Sequence, residues 1–206
     1  MRTGILGGTF DPIHIAHLHA GETALSQAGL ERVLFVPAAD PWQKADRYLT
    51  PAPQRLELVR LAVAGVDGFE VDERETDREG PTYTIDTLNS FPPDEELYLI
   101  VGADAAVGLT TWHRSEEIVE RATILVMPRP GTETAQVREA LPTAMLLKMA
   151  ALDISATAIR QMAASGGSYR FLVPPEVYRY IESNRLYAQP VSGDRVGASQ
   201  DQEESP

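Results

Sequence analysis

Short apolar runs recur along the chain at intervals filled by mixed polar and apolar stretches, and that rhythm sets the first expectation. Gly4-Ile5-Leu6, Val33-Leu34-Phe35-Val36 and Ile124-Leu125-Val126-Met127 are continuously apolar over strand length, the pattern of strands buried on both faces. Runs of this kind predict strands near Gly4–Gly7, Val33–Pro37, Phe69–Asp72, Leu97–Gly102, Ile124–Met127 and Ala144–Met149. Helical spacing predicts helices near Leu18–Ala28, Pro53–Val63, Tyr83–Ser90, Ser115–Arg121, Thr134–Ala140, Thr157–Ala164 and Pro175–Ser183. Pro51 and Pro53 open one helix and Pro174-Pro175 the last, where a missing N–H costs little. Alternating strand and helix predict an α/β class fold, a doubly wound parallel sheet with right-handed crossovers. There is no internal repeat and no linker long enough to divide the chain. One domain is expected over 1–187, with a small helical C-terminal part, and a disordered acidic tail over 188–206.

Composition changes little in that picture but narrows the chemistry. The 206 residues are 43% hydrophobic and 23% charged, ordinary globular material. The absence of cysteine excludes disulfides, thiolate metal sites and a cysteine nucleophile, and it suits a reducing, cytoplasmic setting. No run approaches the roughly 18 apolar residues of a membrane helix, so no membrane association is expected. A net charge of −12 repels nucleic acid, and no such partner is expected. An anionic small ligand must then meet a local cluster of cations and backbone donors. Only Lys44 and Lys148 are lysines among the 18 basic residues, so a lysine in the proline-marked loop after the second strand stands out. The sequence leaves open whether the chain forms a homo-oligomer.

The densest chemistry lies at the N-terminus, in Gly7-Gly8-Thr9-Phe10-Asp11-Pro12-Ile13-His14-Ile15-Ala16-His17. A strand, a glycine turn and a helix start offer free N–H groups and a positive dipole end to a phosphate. His14 and His17, three residues apart, project from nearly the same side of the helix start. His19, two residues further on, turns away and reads as a surface or half-buried structural histidine. Asp11 and Pro12 read as loop-shaping residues, the carboxylate bonding backbone N–H groups. The spacing is neither the dinucleotide fingerprint G-x-G-x-x-G nor a Walker A loop. Without cysteine or an evident third ligand near the histidines, no metal-ligating residues are expected.

The eleven-residue segment resembles the nucleotidylyltransferase motif G-G-x-F-D-P-x-H-x-G-H. Four further stretches, in order, narrow the likeness to bacterial nicotinate-nucleotide adenylyltransferases. They are Val36-Pro37-Ala38-Ala39-Asp40-Pro41-Trp42-Gln43-Lys44; Gly80-Pro81-Thr82-Tyr83-Thr84-Ile85-Asp86-Thr87-Leu88; Gly102-Ala103-Asp104 with Thr111-Trp112-His113-Arg114; and Ile154-Ser155-Ala156-Thr157-Ala158-Ile159-Arg160. The likeness spans Met1 to about Tyr187 and implies a Rossmann-like nucleotidylyltransferase fold. It implies adenylyl transfer from ATP, accompanied by Mg2+, to nicotinate mononucleotide, giving the deamidated dinucleotide and pyrophosphate in NAD biosynthesis. ATP and nicotinate mononucleotide are thus the expected partners.

Residue by residue, the resemblance makes His14, His17 and Arg160 the catalytic groups facing the ATP phosphates. Gly7, Gly8, Thr9, Phe10, Gly102, Asp104, Arg129, Ile154, Ser155 and Thr157 become ATP-binding. Lys44 takes the mononucleotide phosphate, Trp112 stacks on the pyridine ring, and Tyr83 and Thr84 flank its carboxylate. Ser155 is also a natural helix N-cap. The ligand crevice is expected between the first and fourth strands, with Gly7-Gly8 and Gly102–Asp104 on opposite walls. Two positions depart from the family pattern: Ala16 replaces a glycine, and Ala156 replaces a serine. The alternatives are transfer to nicotinamide mononucleotide or another phosphorylated acceptor, and a nucleotide sensor without catalysis.

Overall fold

A computed structural model of the chain describes residues 1–39, 49–78, 80 and 82–188. Lys44 and the expected tail beyond residue 188 lie outside the described residues. The elements run β1 (Arg2–Gly8), α1 (Ile15–Gln27), β2 (Arg32–Pro37), α2 (Ala52–Val63), β3 (Phe69–Val71) and α3 (Thr84–Asn89). They continue through β4 (Glu96–Gly102), α4 (Ala103–Val107), α5 (Ser115–Arg121), β5 (Ala122–Met127), α6 (Thr134–Ala140), β6 (Met145–Leu146), α7 (Ala156–Ser165) and α8 (Pro175–Ser183). The strands form one six-stranded sheet in the order β3-β2-β1-β4-β5-β6, and every pairing is parallel. This is the doubly wound α/β fold expected from the apolar rhythm.

Alternate residues of each strand feed opposite faces. Leu6, Phe35, Ile100 and Leu125 join one core with Leu58, Val59, Ile159, Val177 and Ile181 from α2, α7 and α8. Ile5, Leu34, Leu99 and Val126 join the other with Ile85, Ile118 and Val137 from α3, α5 and α6. Because both faces are covered, the central strands carry no polar alternation, which is why they were legible as continuous runs. From β1 the chain winds outward through β2 and β3, and from β4 through β5 and β6. The winding therefore reverses between β1 and β4, and the strand ends there leave a crevice open at Gly8 and Gly102.

Most element bounds fall within two residues of expectation, and three departures are larger. Helix α1 begins at Ile15 rather than Leu18, because His14 takes an extended conformation and its carbonyl accepts from His17 N–H at 2.9 Å. The sixth strand is confined to Met145–Leu146 instead of spanning Ala144–Met149. Helix α4 and the 3-10 turn Leu109–Thr111 follow β4 directly in a stretch where no helix was expected.

Helix α1 also packs unusually close to the sheet at Gly21. A Cβ there would stand 2.9 Å from Phe35 Cζ and 3.1 Å from Phe69 Cζ. The Gly21→Val variant is expected to lose about 1–3 kcal/mol of stability through overpacking. An unchanged denaturation midpoint would show that the helix shifts freely.

Candidate active site

The glycine turn after β1 is held by a buried cation. Arg55, on α2, is 1% exposed. Its Nε donates to Thr50 O at 2.8 Å, Nη1 to Thr9 O at 2.8 Å and Ala38 O at 2.6 Å, and Nη2 to Ala39 O at 2.8 Å. One guanidinium thus ties the loop after β1 to the loop after β2, satisfying carbonyls that a buried irregular backbone would otherwise leave costly.

Asp11 completes the tether. Its carboxylate, 2% exposed, accepts from Tyr187 Oη at 2.7 Å and from Thr50 N–H at 3.3 Å. Its carbonyl accepts from Arg160 Nη1 at 2.6 Å. The expected loop-shaping role of Asp11 is met by one backbone N–H and one phenol rather than by backbone groups alone. Burial, reinforced by the Asp11 charge, raises the Tyr187 phenol above its ordinary value, so it remains a donor.

The two histidines meet face to face, their rings 3.7 Å apart and inclined by 23°. His14 N–H donates to His17 Nδ1 at 3.2 Å, which leaves the proton of neutral His17 on Nε2. Phe10 meets the same imidazole edge-on at 5.1 Å. Phe10 itself is buried in the core, so its side chain supports His17 and does not face the crevice. A Cβ on Gly8 would lie 3.0 Å from the Phe10 ring, so the second glycine is fixed by this packing. His14 is buried, and its Nδ1 has no hydrogen-bond partner among the described residues. Burial, helped by the positive charge of Arg129, lowers the His14 pKa to about 4. His19 is half-buried, as expected.

Three concavities surround this turn. A cavity of about 160 Å³ lies between Gly7, Gly8 and Thr9 on one side and Thr82, Tyr83, Thr84 and Trp112 on the other. Its β4 wall is Leu99–Val101. Gly102 and Asp104 stand beside Arg129: a Cβ on Gly102 would lie 3.4 Å from Arg129 Nε, and Asp104 Oδ1 is 3.9 Å from it. Helix α4 begins immediately after Gly102. Behind the turn, His14, Ala16, His17, Arg129 and Ile154 line a narrow groove. The third concavity, a wider cleft, contains Thr157 and Arg160 with Asp11 and Tyr187. Ser155 is the N-cap of α7, its Oγ accepting from Ala158 N–H at 3.1 Å, and Arg160 Nη2 reaches Thr157 Oγ1 at 3.2 Å.

The structure therefore gathers the histidines with Arg129 and Ile154, and Thr84 and Trp112 with the glycines. Arg55, Glu75 and Tyr187 were not expected to matter. Arg55 had a signal: it shares a helical stripe with Leu58, Val59 and Ala62, all buried, so a lone arginine stood on an apolar face.

The cytidylyltransferase-like family model matches residues 5–162. A Pseudomonas putida (strain W619) protein named "Probable nicotinate-nucleotide adenylyltransferase" is 43% identical over 211 residues, covering 92% of this chain and 96% of its own. One of the same name from Pelobacter propionicus is 38% identical, covering 92% and 99%. The Plasmodium falciparum nicotinic acid mononucleotide adenylyltransferase complexed with NaAD has the same fold, with a TM-score of 0.75 at 19% identity, covering 90% of this chain and 97% of that one.

The His14 environment sets a pH dependence. Its folded value lies below the ordinary 6.5, so the unfolded chain takes up the proton first; the stability it contributes above about pH 6.5 is lost as pH falls towards 4. The His14 ring is expected to titrate near pH 4 by NMR, and a midpoint near 6.5 would contradict its burial. For the tether, Arg55→Met strips the donor from four carbonyls. At about 1–3 kcal/mol for each buried unpaired group, urea denaturation should show a loss of at least about 3 kcal/mol. A loss under about 1 kcal/mol would mean water replaces the guanidinium.

Proposed function

The chain belongs to the cytidylyltransferase-like family and, within it, to the nicotinate-nucleotide adenylyltransferases, and from that premise we propose how its residues transfer an adenylyl group from ATP to nicotinate mononucleotide. The observation that carries the reading is the shared turn: Gly7–Thr9 forms one wall of the cavity holding Thr84 and Trp112, and runs directly into the histidine pair. Two ligands that meet over such a turn can react with each other. This is a step in NAD biosynthesis, and consumption of ATP supports a cytoplasmic setting.

The acceptor phosphate is already ionised at neutral pH, so an oxygen of that group attacks the α-phosphorus of ATP without a general base. The bond from the α-phosphorus to the bridging oxygen breaks, and pyrophosphate leaves with the electron pair. What such a displacement needs is alignment and stabilisation of charge on the departing oxygens. His17 supplies a fixed Nε2–H donor, since Nδ1 is engaged by the His14 main chain. His14 acts as a neutral imidazole, consistent with its lowered pKa of about 4. Arg160, with the Thr157 hydroxyl beside it, offers positive charge to the β- and γ-phosphates. Arg129, Ile154, Gly102 and Asp104 serve the nucleoside side, and Ser155 holds the start of α7.

On the acceptor side Trp112 gives the pyridine ring a stacking face, and Tyr83 and Thr84 flank its substituent. Lys44 is assigned to the mononucleotide phosphate from the sequence alone. Mg2+ is proposed to arrive on the ATP phosphates. Among the described residues no group of three or more His, Asp or Glu could cage it, and a hard cation that keeps its waters suits a site of hydroxyls and cations. Bound there, it neutralises phosphate charge.

Pyrophosphate release is expected with ATP plus nicotinate mononucleotide, and more slowly with nicotinamide mononucleotide. Release with neither would overturn the assignment. His17→Ala should retain the fold, judged by circular dichroism, while kcat falls about 10²–10³-fold. Unchanged turnover would remove His17 from the mechanism.

A further inference from the structure

The acceptor cavity contains a carboxyl group that the transfer reaction does not use. Glu75 follows β3, is 8% exposed and lines the cavity together with Thr82, Thr84, Thr87 and Trp112. Thr87 Oγ1 donates to its Oε1 at 2.6 Å. The Thr87 hydroxyl therefore directs its proton at Glu75 and not into the cavity. No ion pair among the described residues includes Glu75. Arg78, the nearest positive influence, has its own buried Nη1 without a hydrogen-bond partner among the described residues.

We propose that Glu75 makes acceptance of an acidic pyridine nucleotide proton-linked: a carboxylate entering this cavity draws a proton from solvent onto Glu75, and a carboxamide does not. The inference rests on the assignment of this cavity to the acceptor. Two carboxylates sharing a space shielded from water disfavour double ionisation. Protonation also changes the hydrogen-bond inventory. The Glu75 carboxyl becomes a donor, and the Thr87 hydroxyl proton can turn to an acceptor-only ligand group. A carboxamide carries its own N–H donors and no charge, so it gains nothing from the added proton.

The surroundings act in opposing senses. Burial raises the Glu75 pKa and Asp72 adds to the rise, whereas Thr87, Thr82 and Arg78 lower it. Asp72 is itself paired with Arg74, at 2.6 Å. Across the cavity, the His113 ring lies tilted against Tyr83, with ring centroids 4.5 Å apart. Glu75, Tyr83 and His113 are the titratable groups among the described lining residues. Asp86 and Arg114 form a pair at 3.9 Å in the same neighbourhood. His113 is the rival source of a pH effect, since its protonation would also favour an anion.

The sign follows from linkage. As pH rises through the elevated Glu75 pKa, the acid must bring its proton from a more dilute source. Its kcat/KM falls relative to that of the amide, by at most about tenfold per pH unit. The ratio of kcat/KM for nicotinate over nicotinamide mononucleotide cancels ATP binding, phosphate ionisation and the fraction of folded enzyme. Measured against pH, this ratio should fall in the unaltered protein, become flat and higher at alkaline pH in Glu75→Gln, and still fall in His113→Gln. A flat ratio in the unaltered protein, or a slope that survives Glu75→Gln, overturns the proposal. Should Glu75→Gln not fold, calorimetry of the unaltered protein in buffers of different ionisation enthalpy gives the same decision. Proton uptake must be larger for the acid than for the amide, and equal uptake overturns it. Turnover with neither mononucleotide would instead remove the acceptor assignment itself.

Discussion

The site depends on a buried cation. Arg55 brings a guanidinium into the interior and spends its donors on the carbonyls of Thr9, Ala38, Ala39 and Thr50. Desolvating an arginine is expensive, and a well-packed apolar residue would ordinarily serve stability as well or better. What the arginine adds is geometry. The ladder between the two parallel strands ends with the Ala38 N–H bond to Gly8 O at 2.9 Å, yet the loops beyond it must hold still. A planar, multi-donor fork joins them where a lysine, a single point charge, could not.

From that fixed turn the two halves of the site diverge. Towards the nucleotide, the chain caps its own helix through the His14 main chain, and the same contact selects the tautomer of His17. Phe10 is spent in the core to brace that ring. Helix α7 and the C-terminal Tyr187 close on Asp11 from the far end of the chain, joined to it by hydrogen bonds of 2.6 Å from Arg160 and 2.7 Å from Tyr187. Towards the acceptor, the segment after β3 delivers hydroxyls and one buried carboxyl. Local backbone chemistry thus positions groups whose charges would repel or wander in water.

Much of this was legible in the sequence because its causes are local. Continuous apolar strands betray a sheet covered on both faces, and Ser155 announces a helix start whatever surrounds it. The glycine-histidine segment carries its geometry in its own spacing. The rest depends on partners distant in the chain. The helix that carries Asp104, 3.9 Å from Arg129, is only five residues long and too short to show a periodicity. Phe10 was grouped with ligand contacts because a motif records which residue recurs, not whether it faces the ligand or the core. Glu75 and Tyr187 gain meaning only through Thr87 and Asp11, which lie 12 and 176 residues away. Pairings of that kind leave no pattern in one chain read alone.

The central claim is that one glycine turn separates and aligns two substrates. A crystal structure with nicotinate mononucleotide and a non-hydrolysable ATP analogue tests it most directly. The account predicts the pyridine ring against Trp112 and the triphosphate beside His14, His17 and Arg160. An acceptor phosphate oxygen should then lie about 3–3.5 Å from the α-phosphorus, across Gly7 and Gly8. A mononucleotide bound away from the Thr84–Trp112 cavity, or a triphosphate remote from the histidine pair, would contradict it.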